Sequence, residues 1–258
     1  MCLLPVSKLE VTLHVPTGQE EMRLLETQES ETRAAVDLLE SVAEFACPGP
    51  TVAQLPVSDI EYLLLELRRQ VFGDVARTDV RCPVPECRAR VDVDFRIGDY
   101  LAHHRPTPPA ATEADAEPGW YRLPNQQVRF RPPTAADQMA CLDTADPERR
   151  LRALCMSPET AARGDMARVE RALARLAPSL SGVLEGSCPE CGARLEMFFD
   201  VPRFVLAEFR NQAAGLYREV DVLASRYHWT EAAILALPAR RRGQYRDLAE
   251  SADRAVRA

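Results

Sequence analysis

Lysine is almost missing from this chain. Lys8 is the only one in 258 residues, and arginine supplies the rest of the positive charge, a usage that needs no more than a coding bias to explain it. Acidic residues outnumber basic ones, 39 to 32, for a net charge of −7, which argues against a chain that coats nucleic acid while leaving room for a local basic patch. No apolar run approaches the roughly 20 residues of a membrane-crossing helix. The opening MCLLPVSKLEV has neither the apolar core nor the cleavage site of a secretion signal. The expectation is a chain that is cytoplasmic where it is made, its eight cysteines reduced, so that closely spaced thiols mean metal rather than disulfide. Also missing are a glycine-rich phosphate loop, a nucleophile elbow and a clustered His/Asp/Glu catalytic set. The four histidines, His14, His103, His104 and His228, have no thiol spaced to use them as a base. No enzyme is expected.

What is present is a stretch that occurs twice. CPVPECRARVDVDF runs from Cys82 to Phe95, and CPECGARLEMFFD from Cys188 to Asp200. With Cys87 over Cys191 the tails run in register: Arg90 over Arg194, Val91 over Leu195, Asp92 over Glu196, Val93 over Met197 and Phe95 over Phe199. Each copy reads as a Cys-Pro turn feeding a strand, a way of presenting two thiolates to a tetrahedral zinc. Because a closed structural site takes four ligands, the reading is one shared Zn2+ held by Cys82, Cys87, Cys188 and Cys191. Two alternatives stand beside it: a separate first site that recruits His103 or His104, and two metal-free turns. Cys2, Cys47, Cys141 and Cys155 have no ligand spacing, and Cys155 reads as a small core residue.

A second match lies upstream of the first. QQVRFRPPTAADQM (Gln126 to Met139) aligns with LEVTLHVPTGQEEM (Leu9 to Met22), placing Thr134 over Thr17 and Asp137 over Glu20. Two matches in the same order point to an internal duplication. The fold class expected is α+β: two pseudo-repeated α/β modules, each with a Cys-knuckle β-hairpin, then a C-terminal helical extension. Boundaries follow composition: residues 1–104, a disordered linker over 105–119 rich in Pro, Ala and acid, 120–209, and 210–258.

Local signals fill in the elements. Leu9 to Val15 alternates as a strand, with Leu9, Val11, Leu13 and Val15 on one face. Thr17 caps a helix. A second helix is predicted over 32–45, and a third begins at a capping box of Ser58 and Glu61, carries Ile60, Leu63, Leu64, Leu67 and Val71, and ends at Gly73. A helix capped by Asp165 precedes the second knuckle. Val205, Leu206, Phe209, Leu216, Val220 and Leu223 predict one long amphipathic helix, Thr230 caps another, and Pro238 starts a last one through Leu248.

Outside the knuckles the candidates are partner-binding. Phe198 alternates away from the face of Leu195, Met197 and Phe199, so it marks either a strand covered on both sides or an interface. Trp229 reads as a packing anchor of the helical end. Arg240, Arg241 and Arg242 read as a solvated or partner-binding face, since no aromatic platform for nucleic acid accompanies them.

The segments P-T-G-x-E-E (Pro16 to Glu21) and L-P-V-S-D (Leu55 to Asp59), with the Cys82/Cys87 knuckle before an acidic-apolar strand, resemble the T4-type baseplate proteins of contractile phage tails and phage-derived extracellular injection systems. YHWTEAAILALPARRRGQY (Tyr227 to Tyr245) is similar to a signature of small proteins from the same gene clusters. The resemblance implies a structural or assembly role in a baseplate or hub, with other baseplate, spike or sheath proteins as partners. The competing class is a zinc-ribbon adaptor that binds nucleic acid through the knuckles and Arg240 to Arg242.

Overall fold

The computed structural model describes residues 1–47, 49–108, 112–124, 128–158 and 163–257. Strands β1 (Cys2–Leu3) and β2 (Glu10–Leu13) pair antiparallel. The chain between them is tied down by Asp59, which accepts hydrogen bonds from the backbone N–H of Val6 (2.9 Å) and Ser7 (2.8 Å). On β2, Val11 is fully buried while Val15 lies beyond the strand and is exposed. Helix α1 (Gly18–Glu26) opens on a complete capping box: Thr17 accepts from the Gln19 N–H, and the Glu20 carboxylate accepts from the Thr17 N–H at 2.8 Å.

Helix α2 (Glu31–Val42) stops three residues short of the expected Phe45. Ala43–Phe45 leaves the helix to form β3, pairing Val11 with Phe45 and completing a three-stranded sheet in the order β1-β2-β3. A 3-10 turn at Val52–Gln54 leads to α3 (Val57–Phe72). Its N-cap is Pro56, not Ser58, and the expected Ser58–Glu61 box does not form: Glu61 is drawn into the interior instead. Gly73 ends α3 as predicted, at a φ of +90° that suits glycine.

Strands β4 (Val75–Arg81) and β5 (Arg90–Arg96) form the first knuckle hairpin, followed by α4 (Ile97–His103). The stretch 105–119 comes next. The Thr107 N–H donates to the Arg175 carbonyl, and β6 (Glu113–Ala114) pairs with β7 (Tyr121–Arg122). Residues 109–111 of that stretch lie outside the described residues. Next come β8 (Arg129–Phe130), α5 (Ala135–Met139), α6 (Pro147–Cys155) and β9 (Met156–Ser157), giving a sheet in the order β6-β7-β8-β9. Helix α7 (Arg163–Leu176) starts before Asp165, which therefore sits in its first turn.

Strands β10 (Gly182–Ser187) and β11 (Arg194–Phe199) make the second hairpin. Beyond them α8 (Val201–Ala213) and α9 (Leu216–Tyr227) replace the single long helix expected; the break falls at Ala214 and Gly215, the residue least suited to a helix interior apart from proline. The boundary expected at residue 210 lies inside α8. Helices α10 (Glu231–Leu235), capped by Thr230, and α11 (Ala239–Arg257) finish the chain.

The order β-α-α-β-α-β-β-α thus runs from β2 to α4 and again from β8 to α8. Pairing repeats with it, since Leu13 faces Ala43 and the aligned Phe130 faces Met156, each partner being the first residue after a helix. The aligned Thr134 carries an equivalent capping box with Asp137.

The main core is built on α3, whose Leu63, Leu64, Leu65 and Leu67 are fully buried. At about 1.5–3 kcal/mol for each such side chain, they make α3 the central post of the first half. Phe199, Val201, Val205, Leu206 and Phe209, from the second hairpin and α8, pack into that same core. A smaller core of Val128, Phe130, Met156, Val169 and Ala172 lies under the four-stranded sheet.

The parts are joined at two matching points. The Val57 N–H donates to the Pro133 carbonyl, and the Ala135 N–H to the Leu55 carbonyl, so Leu55-Pro56 docks on the Thr134 turn. In the same manner the Gly18 N–H donates to the Leu237 carbonyl, and Leu237-Pro238 docks on the Thr17 turn.

Candidate metal centre

The two hairpins present their loops to each other. In each, the residue after the outgoing strand is a cysteine whose N–H closes the turn: Cys82 donates to the Ala89 carbonyl and Cys188 to the Ala193 carbonyl, both at 2.8 Å. After the second cysteine of each pair the backbone turns left-handed, at Arg88 (φ 47°) and at Gly192 (φ 73°). The wider spacing in the first copy adds residues to the loop without altering this closure.

The four sulfurs meet pairwise across the interface. Cys82 Sγ lies 3.6 Å from Cys191 Sγ, and Cys87 Sγ lies 3.8 Å from Cys188 Sγ. All four lie within 4.8 Å of one another. Sulfurs at zinc-ligand distance around a tetrahedral ion stand about 3.8 Å apart. The donor set is therefore sized for such an ion, and four thiolates suit a soft or borderline dication better than Mg2+ or Ca2+. Cys82 and Cys188 are buried and, with Leu195, form an apolar cluster of their own, flanked by Val80, Val84 and Val91. Cys191 is exposed.

The electrostatics divide the thiols. Backbone N–H groups of Cys191 and then Glu190, aimed at Cys188, hold its thiol down at about 7. Cys82 receives a similar pull from the Val84 N–H but is pushed up to about 12 by burial and by the adjoining thiols of Cys191 and Cys188. Four thiols at this separation cannot all ionise without a cation among them, whereas metal ligation deprotonates a thiol outright.

The remaining predicted residues are scattered. His104 Nδ1 is 2.9 Å from the Tyr100 carbonyl, and among the described residues no His joins a metal-sized cluster. Cys155, as expected, is buried; its Sγ lies 3.6 Å from a carboxylate oxygen of Asp137. Phe198 is 66% exposed on the outer face of β11. Trp229 stacks on Tyr227 at 5.0 Å and meets Tyr245 edge-on at 5.0 Å, so it anchors α9 to α11.

Arg242 departs from expectation. It belongs to no solvated or partner-binding face: it is buried, paired with Glu21 of α1 and with Glu219 (3.1 Å), and donates to the Leu237 carbonyl (2.6 Å). Docking of Leu237-Pro238 carries it there. Arg240 and Arg241 stay exposed, and the Arg241 guanidinium lies over the Tyr245 ring.

Sequence reasoning missed the polar posts that fix the second hairpin. Glu61, 3% exposed, accepts from the Leu180 N–H (2.6 Å) and the Ser181 hydroxyl (2.5 Å), and the Ser181 oxygen in turn accepts from the Val201 N–H (3.0 Å). Arg68 grips Glu208 through two bonds of 2.7 and 2.9 Å. Both run from α3 to the second half. The available signal was the run Leu63-Leu64-Leu65, too wide for one helix face, which implies that α3 is enclosed on several sides and that its polar residues face protein.

A three-stranded sheet backed by helices and a hairpin bringing half of a four-thiol cluster define a protein of mixed α and β class, and no helix among the described residues is long and apolar enough to cross a membrane. The family model of the T4 bacteriophage base plate protein matches residues 1–138, and the chain belongs to that family. No curated protein and no solved structure matches the chain.

Proposed function

We propose that this chain is a non-enzymatic scaffold or assembly component in the baseplate or hub of a contractile phage tail-like injection system, made in the cytoplasm and incorporated into the particle. In this reading an ancestral module was duplicated, its copies spanning about 1–104 and 120–209, and a Zn2+ ion on Cys82, Cys87, Cys188 and Cys191 staples the two hairpins. Residues 210–258 act as a helical extension. The carrying observation is that four sulfurs, two from each copy, lie within 4.8 Å of one another.

The ion would act structurally, neutralising thiolate charge and cross-linking segments more than 100 positions apart. Such a staple stiffens a body whose main core already takes residues from both halves, which suits a part that holds neighbouring subunits in register. The nucleic-acid reading gains no support: Arg242 is spent on Glu21 and Glu219.

Elemental analysis of the purified protein tests the staple, and about one zinc per chain is expected. Cys87→Ser and Cys191→Ser should each lower zinc content and melting temperature. No zinc, with all four thiols freely alkylated in the native protein, would remove it. Co-purification with sheath, spike or wedge proteins expressed from the same cluster tests the baseplate role.

A further inference from the structure

The two hairpins are an internal control for one another. Their outer faces align pair by pair: Arg81 opposite Arg90 corresponds to Ser187 opposite Arg194, where one arginine is kept, and Asp79 opposite Asp92 to Glu185 opposite Glu196, where both carboxylates are kept. The next pair differs in kind. The first hairpin has Arg77 opposite Asp94, and the second has Val183 opposite Phe198. All four of these side chains are exposed, Val183 at 56% and Phe198 at 66%. The fold accepts a charged pair at this position, so the apolar pair is not required by the hairpin itself. Leaving a cross-strand Val–Phe pair in water forgoes the burial that such residues offer.

The charge beside it indicates what would cover it. Glu185 and Glu196 face each other directly, an arrangement that costs stability on a hairpin face. Among the described residues Arg194 alone serves both, at 2.5 and 3.1 Å. The patch is thus an apolar pair bordered by two carboxylates that share one cation.

We infer that the outer face of β10 and β11 is a docking surface for another baseplate protein, one presenting an apolar side chain flanked by Lys or Arg. The apolar group covers Val183 and Phe198, and the cations relieve Glu185 and Glu196. This inference rests on the baseplate role proposed above and adds to it the surface and the chemistry of the contact.

The test transplants the first hairpin's pair: Val183→Arg with Phe198→Asp. Purified sheath, tube, spike and wedge proteins of the same cluster are titrated singly against wild type and the double variant. At least one should bind wild type, with affinity falling at least tenfold in the variant and also falling as salt is raised. Zinc content and melting temperature should not change, because the twin hairpin already tolerates the pair; if the double variant melts early, Phe198→Ser is read in its place. Equal binding by wild type and variant overturns the inference and leaves the baseplate role standing. Failure of every subunit to bind wild type overturns both. Self-association of wild type, lost in the variant, assigns the face to a second copy and also overturns it.

Discussion

Arg242 and Glu21, 221 positions apart, form an ion pair with side-chain exposures of only 2% and 1%. Every nitrogen of the guanidinium has a partner: Glu21, Glu219 and the Leu237 carbonyl. Glu21 also accepts from Gln212 at 2.9 Å. The pair locks α11 onto α1, the last helix onto the first.

Arg242→Ala should therefore leave Glu21 enclosed without its cation, at a cost of about 3–5 kcal/mol. The loss should appear as faster hydrogen exchange over α9, α10 and α11, with α3 still protected. A uniform rise across the chain would mean that these helices are not a separable unit.

Gly18, the first residue of α1, sits against Leu235 of α10. A Cβ there would lie 2.8 Å from Arg242 Nη1 and 2.9 Å from Leu235 Cα. Gly18→Ala should destabilise by about 1–3 kcal/mol in urea titrations. Gly186→Ala, with nothing within 4 Å, is the matched control and should be close to neutral.

The knuckles offer a reciprocal pair of substitutions. Gly192, at φ 73° with nothing within 4 Å of an added Cβ, can be strained only through its backbone. Gly192→Ala should cost about 1 kcal/mol, and Arg88→Gly at the corresponding left-handed position should recover up to a similar amount. Thermal melts of the two variants against wild type read both. Opposite signs in the two hairpins are the expected result; a stabilising Gly192→Ala would contradict it.

Glu61 has a pH signature. Burial raises its pKa above the ordinary 4.5, against the hydrogen bonds from Ser181 and Leu180. A carboxyl raised in this way contributes its full stability below its unfolded pKa and loses it as pH climbs through the folded value. The stability of wild type minus that of Glu61→Gln, from urea unfolding between about pH 5 and about pH 8, should fall as pH rises. A difference that grows with pH would mean that the hydrogen bonds outweigh burial.

Local signals were legible in the sequence. Thr17 with Glu20, Gly73 and Thr230 each act within a few residues, and each caps a helix as its chemistry dictates. The meeting of the four thiols could be expected because a pair of ligands is incomplete alone, even though the two pairs are a hundred residues apart. What was not legible depends on tertiary partners. Ser58 and Glu61 have the spacing of a capping box, but the docking of Leu55-Pro56 on the Thr134 turn starts α3 at Val57 and frees Glu61 to hold Leu180. Phe45 has helix neighbours, yet the open edge of β2 draws it into a strand. Arg242 reads as surface because nothing near it in sequence reveals Glu21.

The docking of Leu237-Pro238 on the Thr17 turn also has a temporal side. Synthesis delivers the receiving helix first and its clasp more than two hundred residues later, so the seam stays open on the ribosome through all of that interval. Until residue 242 emerges, Glu21 waits in water without its cation, and a prematurely terminated chain would carry that open seam permanently. Closure of the seam thereby records that synthesis has passed residue 242.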